Sequence, residues 1–331
     1  MNLTRLPRFE LGTFPTPLQR APRLSEALGL PILVKRDDLT GLGLGGNKVR
    51  KLEYLLADAL AQDADVLVTG GGPQSNHTAL TALAARRAGL SAHLVFYGSP
   101  RPGGPEGNGV LNVLSAADVT FTGDTERSSV DPMLEAVAEK LRADGRRPYV
   151  IPRGGATPLG CCGYVRASLE LAAQLADQGL APSHVMVATG SCGTHAGLLV
   201  GARWLQASYR VLGVTVSRPQ AECVARIVRL AEDCAALLEL DLGPVDADGA
   251  DEPVEVLAGY IGPGYGKASP EGRAAMELMA RTEGLVLDPV FTAKAMAALV
   301  DLAPTLAPGP VVFLHTGGAP ATFVAGPAAD A

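Results

Sequence analysis

The stretch Gly45-Gly46-Asn47-Lys48-Val49-Arg50-Lys51-Leu52-Glu53-Tyr54 joins a glycine turn to the start of a predicted helix. The residues after Asn47 favour a helix, and Lys48 falls in its first turn. The helix dipole disfavours a cation there and lowers the pKa of an amine, which makes the amine a better nucleophile. Lys48 is therefore either a reactive group or an ordinary lysine that extends into solvent.

The composition is typical of a compact α/β protein. Of the 331 residues, 47% are hydrophobic and 19% are charged, and 39 glycines and 25 prolines indicate many tight turns. A chain of this length is expected to form one large domain or two closely connected ones. The formal net charge of -6 comes from 28 basic and 34 acidic residues mixed along the chain, so neither nucleic acid nor a membrane is a predicted partner.

Targeting segments and metal sites are not expected either. Prolines and charges occupy the first 20 residues, where a signal peptide would be apolar, and no apolar run approaches the ~20 residues of a membrane span. We therefore predict a cytoplasmic protein. The five cysteines are sparse and odd in number, so we expect them to be reduced. No metal site is predicted, because Cys and His do not cluster at ligand spacing.

Short β-branched runs alternate with amphipathic segments along the chain. We predict strands at residues 31–35, 65–69, 93–97, 119–122, 149–152, 184–188, 211–216 and 311–314. Besides the helix at Lys48, helices are predicted at residues 75–88, 110–116, 132–143, 164–177, 195–205 and 221–238. This order implies parallel sheets with helices on both faces. Residues 241–252 are predicted to form a surface loop, and residues 327–331 a short tail.

Glycine-rich loops follow several of the predicted strands. Five loops carry two or more glycines, at residues 41–47, 70–74, 153–157, 190–193 and 262–266. Ligands of parallel sheets bind beyond the carboxyl ends of the strands. We therefore expect these loops to meet at one crevice.

Two of these loops have the composition of anion-binding sites. The segment Thr189-Gly190-Ser191-Cys192-Gly193-Thr194-His195-Ala196-Gly197 offers backbone amides and hydroxyls at a helix N-terminus, which would suit a phosphate. The segment Gly70-Gly71-Gly72-Pro73-Gln74-Ser75-Asn76-His77 has Ser75 as a helix N-cap and would suit a carboxylate. Taken alone, each loop is also explained by an ordinary turn that binds nothing.

Seven motifs in a fixed order carry a family resemblance. They are Gly45-Gly46-Asn47-Lys48-x-Arg50-Lys51-Leu52-Glu53-Tyr54, Gln74-Ser75-Asn76-His77, Gly190-Ser191-x-Gly193-Thr194-His195-Ala196-Gly197, Gly262-Pro263-Gly264-Tyr265-Gly266, Ala280-Arg281-Thr282-Glu283-Gly284, Asp288-Pro289-Val290 and His315-Thr316-Gly317-Gly318. Together they resemble the D-cysteine desulfhydrase and 1-aminocyclopropane-1-carboxylate deaminase family of pyridoxal-phosphate enzymes, in the fold type II (tryptophan synthase β-like) group. The resemblance extends from Pro15 to Pro320.

The resemblance implies an architecture. The fold would be α/β, with two three-layer α/β/α domains and mainly parallel sheets, as in pyridoxal-phosphate fold type II. A small domain would comprise residues 48–152, and a large, cofactor-binding domain would comprise residues 1–47 plus 153–331. The small domain is expected to close over the substrate. Members of the family are typically homodimers, so a homodimer is expected.

The resemblance also implies a site for pyridoxal 5'-phosphate. Lys48 matches the lysine that links to the cofactor aldehyde, and the catalytic residues would be Lys48, Ser75 and Tyr265. The cofactor-binding residues would be Lys48, Asn47, Asn76, Gly190, Ser191, Cys192, Gly193, Thr194 and Thr316. The residues that bind a small amino-acid substrate would be Ser75, Asn76, His77, Tyr265 and Phe291.

Two of these residues bear on the chemistry. Thr316 would face the pyridine nitrogen, and a hydroxyl there makes the ring a weaker electron sink, which suits prompt loss of a β-substituent. Tyr265 would be a proton donor, an orienting group or an aromatic lid. The implied reaction converts an amino acid with a β-leaving group to a 2-oxo acid and ammonia, with sulfide when the substrate is D-cysteine.

Four features of the sequence depart from the pattern of the family. Phe291 stands where a tyrosine is usual, and Thr292 stands where the cyclopropane deaminases have glutamate, so opening of the cyclopropane ring is not expected. The third departure is the loop Arg153-Gly154-Gly155-Ala156-Thr157-Pro158, which differs from the usual Gly-Gly-Ser-Asn type. Its Arg153 either meets an acidic substrate side chain or pairs with a surface carboxylate. Cys192 replaces a glycine in the phosphate loop and is either a reactive thiol or a tolerated substitution.

Several further functions remain open from the sequence. They include different activities on the same cofactor, namely L-cysteate sulfo-lyase, β-replacement, racemase and 1-aminocyclopropane-1-carboxylate deaminase. A non-catalytic amino-acid-binding relative is a further possibility. A Cys-His hydrolase has no support beyond the presence of both residue types, and a nicotinamide dehydrogenase lacks its glycine fingerprint.

Overall fold

A computed structural model describes residues 2–100, 102–245, 253–306 and 309–324. Most of the predicted loop at 241–252 and the whole predicted tail at 327–331 lie outside these ranges. The strands are β1 (Leu18–Arg20), β2 (Ile32–Lys35), β3 (Val66–Gly71), β4 (Ser91–Phe96), β5 (Asp118–Phe121), β6 (Pro148–Ile151), β7 (His184–Thr189), β8 (Arg210–Thr215), β9 (Glu255–Leu257) and β10 (Val311–Leu314).

Ten α-helices lie within the described residues. They are α1 (Pro22–Leu28), α2 (Lys48–Ala61), α3 (Asn76–Arg87), α4 (Asn108–Leu114), α5 (Val130–Ala143), α6 (Pro158–Gln178), α7 (Gly193–Trp204), α8 (Gln220–Leu237), α9 (Pro270–Glu283) and α10 (Thr292–Leu302). None of these helices is long and apolar enough to cross a membrane.

The strands form two sheets. The six-stranded sheet has the order β1-β2-β10-β7-β8-β9, and the four-stranded sheet has the order β5-β4-β3-β6. All neighbours pair in parallel except β1 and β2, which are antiparallel. The predicted α/β fold with mainly parallel sheets is therefore confirmed.

Each sheet is the middle layer between two layers of helices. In β10, Val311 and Phe313 belong to a core formed with α1, α9 and α10, whereas Val312 and Leu314 belong to a core formed with α6 and α7. Strand neighbours point to opposite faces, so both faces are apolar and both are covered. The four-stranded sheet likewise packs on α2 and α3 on one face and on α5 on the other.

The sequence patterns located seven of the described helices and eight of the described strands and missed three helices and two strands. The strands β1 and β9 have three residues each, too few to show an alternating pattern. Helix α1 was also missed, as were α9 and α10, although motifs of the family fall on or beside them. The predicted helix at 164–177 begins six residues earlier in the structure, because Thr157 caps α6 and Pro158 occupies its first turn.

A buried ionic cluster joins α2 to the six-stranded sheet and to α6. Arg50 donates two hydrogen bonds to the carboxylate of Asp37, at 2.8 and 2.7 Å, and two to the carboxylate of Glu170, both at 2.9 Å. Tyr164 donates to the same Asp37 carboxylate. Burial by itself raises the pKa of Asp37, but the charge and hydrogen bonds of Arg50, the hydrogen bond from Tyr164 and the charge of Lys35 together outweigh burial and hold that pKa below its ordinary value. The cluster therefore fixes the helix that begins with Lys48.

Gly163 allows α2 and α6 to approach each other this closely. A side chain at this position would collide with the backbone carbonyl of Arg50. Only glycine lets the two backbones meet at such a separation. The close packing of α2 on α6 and the buried ionic cluster therefore both fix α2 at Arg50.

We expect Arg50→Met to lower the free energy of unfolding by about 3–5 kcal/mol, because it leaves a buried carboxylate without its partner. Urea denaturation with both variants in the same buffer measures this loss. The control is Arg147→Met, since the side chain of Arg147 is 62% exposed beside Asp65 and should cost at most about 1 kcal/mol. Equal losses in the two variants would contradict a structural role for the cluster.

Candidate active site

A cavity lies beyond the carboxyl ends of strands from both sheets. It is lined by residues at or after the ends of β3, β4, β6, β7, β8 and β10, by the start of α2, and by two loop residues before α9 and α10. All five glycine loops lie at or next to this cavity, which confirms the predicted crevice. The predicted site residues that line it are Asn47, Lys48, Ser75, Asn76, His77, Gly190, Ser191, Cys192, Thr194, Tyr265, Phe291 and Thr316.

Gly193 is the predicted site residue that does not line the cavity. It is the first residue of α7, and its Cα faces away from the cavity toward Ala156 and Lys51. A Cβ at Gly193 would lie 2.9 Å from the Nζ atom of Lys51 and 3.1 Å from the Cα atom of Ala156. The chain therefore needs a glycine here to bring the lysine close to the N-terminus of α7.

Lys48 begins α2 and lies in the wall of the cavity. It is half-buried, and burial, followed by the charge of Lys51, holds the pKa of Lys48 well below its ordinary value. The turn before it requires glycine, since Gly45 and Gly46 have φ of 73° and 133° and a side chain on Gly45 would strike the carbonyl of Asp38. Lys48 therefore lines the cavity and does not extend into solvent, and the surroundings favour the neutral form of its amine.

Lys51 is a second buried amine, to which the motifs assigned no role. It is 0% exposed, its Nζ atom donates to the carbonyl of Gly154 at 3.3 Å, and burial lowers its pKa to about 8. No carboxylate contacts it within the described part of the chain. The sequence did offer a signal for Lys51, because residues three positions apart in a helix, such as Lys48 and Lys51, lie on the same face.

The N-terminus of α7 is an anion site by geometry. The first three amides of a helix have no partner inside it, and the N-cap residue Cys192 makes no side-chain hydrogen bond to them. Asn47 donates through Nδ2 to the hydroxyl of Thr194 at 3.0 Å, which joins the start of α2 to the N-terminus of α7, called the anion cup below. Together with the uncompensated Lys51, the free amides fit a phosphate group.

Cys192 adopts the backbone conformation of the glycine that it replaces. Its φ is 74°, in the left-handed region, where a side chain costs about 1–3 kcal/mol. The thiol is 2% exposed and hydrogen-bonded to Cys223, and this bond together with burial raises the pKa of Cys192 far above its ordinary value. The thiol therefore stays protonated, and the tolerated substitution describes it better than the reactive thiol does.

The turn from Ser75 to His77 starts α3. The Oγ atom of Ser75 accepts from the amide of Thr78 at 3.4 Å, as the predicted N-cap. The Oδ1 atom of Asn76 accepts from Asn108 at 2.6 Å, which leaves its amide nitrogen for other contacts. Asn108 also donates to the carbonyl of Gln74 at 3.0 Å, so it holds the turn in place without lining the cavity.

His77 is buried, and its hydrogen bonds define its tautomer. Thr69 donates its hydroxyl hydrogen to the carbonyl of Ile151, so the contact of 3.0 Å between Thr69 Oγ1 and His77 Nε2 requires the imidazole to be the donor. Burial and the charges of Lys48 and Lys51 hold the pKa of His77 well below its ordinary value. The Nδ1 atom is then an unprotonated acceptor, and it has no partner within the described residues.

Tyr265 and Phe291 form the aromatic side of the cavity. Their ring centroids are 6.0 Å apart in an edge-on arrangement, and burial raises the pKa of Tyr265 to about 12. The phenol is therefore protonated at neutral pH. Phe291 also faces Gly190, where a Cβ would lie 3.2 Å from its ring.

Thr316 closes the cavity at the end of β10. Its carbonyl accepts from the amide of Asn47 at 3.0 Å, which joins β10 to the turn before Lys48. Its side chain lines the cavity and is 7% exposed. Thr316 and Lys48 thus line the same cavity.

Several residues of the lining were not predicted from the sequence. They are Tyr97, Arg127, His195, Ser217 and Arg218. Arg153 also lines the cavity and is paired with Asp131 through hydrogen bonds of 2.7 and 2.5 Å, so the prediction of a carboxylate partner is confirmed. Except for His195, which lies in the motif from Gly190 to Gly197 and was given no role, these residues carry no motif, because they come from separate segments that only the fold brings together.

The arrangement fits pyridoxal phosphate on three independent points. An amine with a lowered pKa lines the cavity, free amides and a lysine without a described carboxylate partner meet at the N-terminus of α7, and a hydroxyl stands at the end of β10. In this order, the three features would suit the aldehyde, the phosphate and the pyridine nitrogen of the cofactor. The residues therefore suit the cofactor that the motifs imply.

Comparison with known proteins supports the same conclusion. The model of the family described as pyridoxal-phosphate dependent enzyme matches residues 9–317. The D-cysteine desulfhydrase of Klebsiella pneumoniae (strain 342) is 44% identical over 333 residues, which cover 97% of each chain. The D-cysteine desulfhydrase of Salmonella choleraesuis (strain SC-B67) is 43% identical over 329 residues, again covering 97% of each chain.

Solved structures with the same fold are also similar. An ACC deaminase homologue has a TM-score of 0.89 at 39% identity, covering 97% of this chain and 94% of the other. The processed form of threonine deaminase isoform 2 from Solanum lycopersicum has a TM-score of 0.66 at 17% identity, covering 96% of this chain and 87% of the other, and this likeness concerns the fold alone. The chain therefore belongs to the family of pyridoxal-phosphate dependent enzymes, with the fold of their type II group.

Proposed function

We propose that this enzyme removes the β-substituent of a small amino acid and that D-cysteine is its substrate. The products would be a 2-oxo acid, ammonia and sulfide. The observation that carries the proposal is the amine of Lys48, which lines the cavity with a lowered pKa, together with the free N-terminus of α7, in a chain 44% identical to D-cysteine desulfhydrases. The remaining residues of the lining supply contacts for the substrate.

Lys48 is the proposed base. When bound, pyridoxal phosphate supplies an electron sink for the pair released at the substrate Cα atom. Lys48 holds the cofactor until an amino acid arrives, and its freed amine then takes the proton from Cα. Because burial and Lys51 lower its pKa, the amine of Lys48 holds its proton less firmly than an ordinary lysine does, which suits a base.

The two anionic ends of cofactor and substrate have separate sites in this proposal. The amides at Gly190 to Thr194 and the charge of Lys51 hold the phosphate. The turn from Ser75 to His77 holds the substrate carboxylate, and the amide group of Asn76 meets the phenolic oxygen of the cofactor. Thr316 faces the ring nitrogen, and Asn47 keeps the cup and Lys48 in register.

Tyr265 is best explained as an orienting group. With a pKa of about 12, its phenol does not give up a proton readily, but it can donate a hydrogen bond to the substrate. Its contact with Phe291 holds the ring beside the cavity. Because position 291 offers no second phenol, the ring-opening deaminase activity is the least supported of the activities on this cofactor.

The remaining activities on this cofactor would use most of the same residues. A racemase needs a proton donor on the opposite face of the substrate. Its candidates here are Tyr265, held protonated by its high pKa, and the hydroxyl of Ser75, whose Oγ atom already accepts from an amide. A non-catalytic binding protein would have no use for an amine with a lowered pKa. L-cysteate sulfo-lyase and β-replacement use the same bond cleavage and differ in the leaving group or in the second substrate.

We propose residues 48–152 as the small domain and residues 1–47 plus 153–331 as the large domain. The four strands of the smaller sheet all fall within residues 66–151, which supports this division. A homodimer in the cytoplasm, with closure of the small domain over the substrate, completes the proposal.

The link to Lys48 is tested by reduction. Borohydride treatment of the yellow enzyme should fix the cofactor on Lys48, and mass analysis of the peptides should locate it there. Lys48→Ala should retain the fold by circular dichroism and lose at least about 1000-fold in kcat, because both the covalent link and the base are removed. A label on Lys51 or another lysine would refute the assignment.

The phosphate site is tested through Lys51. We expect Lys51→Met to weaken binding of pyridoxal phosphate by about 10- to 100-fold, since a charged hydrogen-bond donor is lost. Equilibrium titration of the apoenzyme, followed by cofactor absorbance, measures this change. The control is Lys140→Met on the exposed side of α5, and equal affinities in the two variants would contradict the assignment.

The substrate is tested by product analysis. The enzyme should release 2-oxo acid and sulfide from D-cysteine and little or no 2-oxo acid from 1-aminocyclopropane-1-carboxylate. L-cysteine, L-cysteate and D-serine serve as competing substrates in the same assay. Formation of the opposite enantiomer without sulfide would exclude the elimination reaction.

A further inference from the structure

Arg127 brings to the cavity a charge that no described carboxylate balances. It belongs to a short 3-10 turn before α5 and lines the cavity. Its Nη1 atom donates to the carbonyl of Ser217 at 3.1 Å, and its guanidinium lies 4.2 Å from the centroid of Tyr265. None of the ion pairs among the described residues includes it.

Neighbouring residues hold Arg127 in this position. Arg153 donates through Nη1 to the carbonyl of Arg127 at 3.0 Å, while its other nitrogens bind Asp131. Arg127 in turn crosses from the side of the four-stranded sheet to Ser217, which follows β8 of the six-stranded sheet. The guanidinium is therefore placed by contacts on both sides of the cavity.

The charges around the cavity suggest what Arg127 is for. Neither aspartate nor glutamate is present in the described lining. Arg153 is paired with Asp131 and Arg218 with Glu222, and Lys51 faces the anion cup of α7. With Lys48 assigned to the cofactor aldehyde, Arg127 is the uncompensated cation that remains on the substrate side of the described lining.

Such a cation is costly unless a ligand neutralises it. Burial lowers the pKa of Arg127, and the charges of Arg218 and Arg153 act in the same direction. An arginine nevertheless stays charged in proteins, so the protein bears a desolvation penalty without a permanent carboxylate partner among its described residues. A cation kept in this state at a cavity is typical of a group that meets an anion during function.

We propose that Arg127 binds the β-substituent of the substrate and stabilises it as it leaves as an anion. This assignment rests on the proposed elimination reaction and deepens it. The substrate class is then amino acids whose β-substituent departs with negative charge, such as a thiol that leaves as hydrosulfide. The α-carboxylate is bound elsewhere, at the turn from Ser75 to His77.

The step is balanced without a further reagent. Lys48 takes the Cα proton, and the electron pair of that C–H bond becomes the second bond between Cα and Cβ. The bond between Cβ and sulfur breaks, and its electron pair leaves with the sulfur as hydrosulfide. The charge that develops on sulfur is the charge that Arg127 meets.

Tyr265 cannot take this role by donating its proton. Hydrosulfide is a much weaker base than a phenolate whose conjugate acid has a pKa of about 12, so the proton stays on the phenol. The phenol contributes a hydrogen bond, and the guanidinium stacked on it contributes the full charge. The two residues are thus complementary.

Binding of two unreactive amino acids to the holoenzyme tests the proposal without turnover. D-aspartate has an anion on its β-carbon, whereas D-alanine has none, and the change in cofactor absorbance gives both dissociation constants. Arg127→Met should weaken the binding of D-aspartate by about 10- to 100-fold and the binding of D-alanine by less than about threefold. The control is Arg142→Met, an exposed arginine in the last turn of α5, which should change neither value.

Turnover provides the second measurement. In Arg127→Met, kcat/KM for D-cysteine should fall by about 10- to 100-fold, because the developing charge loses a charged donor. For β-chloro-D-alanine it should fall by less than about threefold, since chloride is a very weak base and needs little stabilisation. Arg127→Lys should restore part of the loss for D-cysteine, because it retains the charge without the planar donor geometry.

Each contrary outcome has a distinct meaning. If the binding of D-aspartate and of D-alanine weakened equally, the proposal would be overturned and Arg127 would be assigned to the α-carboxylate. Unchanged constants for both would overturn it and leave Arg127 as a link between Ser217 and Tyr265. Absence of D-cysteine turnover in the unmodified enzyme would refute the proposed function, while selective loss of D-aspartate binding would still support an anion site at Arg127.

Discussion

The buried contact between α2 and α6 is the constraint on which the site depends. Arg50 fills the space between Asp37 and Glu170, and Gly163 lets the two helices approach until their backbones touch. Lys48 is two residues before Arg50 on the same helix, so the cluster determines where the reactive amine points. A buried charge pair has little net stabilising effect, but losing one partner is costly, which makes this arrangement specific.

The cavity combines uncompensated positive charge with low solvent access. Its lining contains lysine, arginine and neutral histidine, and the acidic partners of Arg153 and Arg218 lie outside it. Such a surface is unfavourable when empty and favourable for a ligand with several negative groups. The lowered pKa values of Lys48 and His77 have the same origin, because burial and like charge both favour the neutral form.

Sequence patterns predicted the parts of this protein that repeat a local rule. Alternating apolar runs predicted most of the strands, and glycine turns before Lys48, Ser75 and Gly193 predicted where the loops would meet a ligand. Lys51 was missed, because its spacing from Lys48 indicates a shared helix face but does not show that the side chain is buried. Arg127 was missed for a different reason, since nothing near it in the chain forms a motif.

The sequence by itself determined the fold class and the cofactor and singled out Lys48 as the proposed reactive lysine, because the motifs that indicate them are short runs of neighbouring residues. Only the tertiary structure decided which charges are paired. Arg153 meets Asp131, Arg218 meets Glu222, and Arg127 meets the ring of Tyr265 from more than a hundred residues away. Electrostatic balance is a property of distances in space, and spacing along a chain does not contain it.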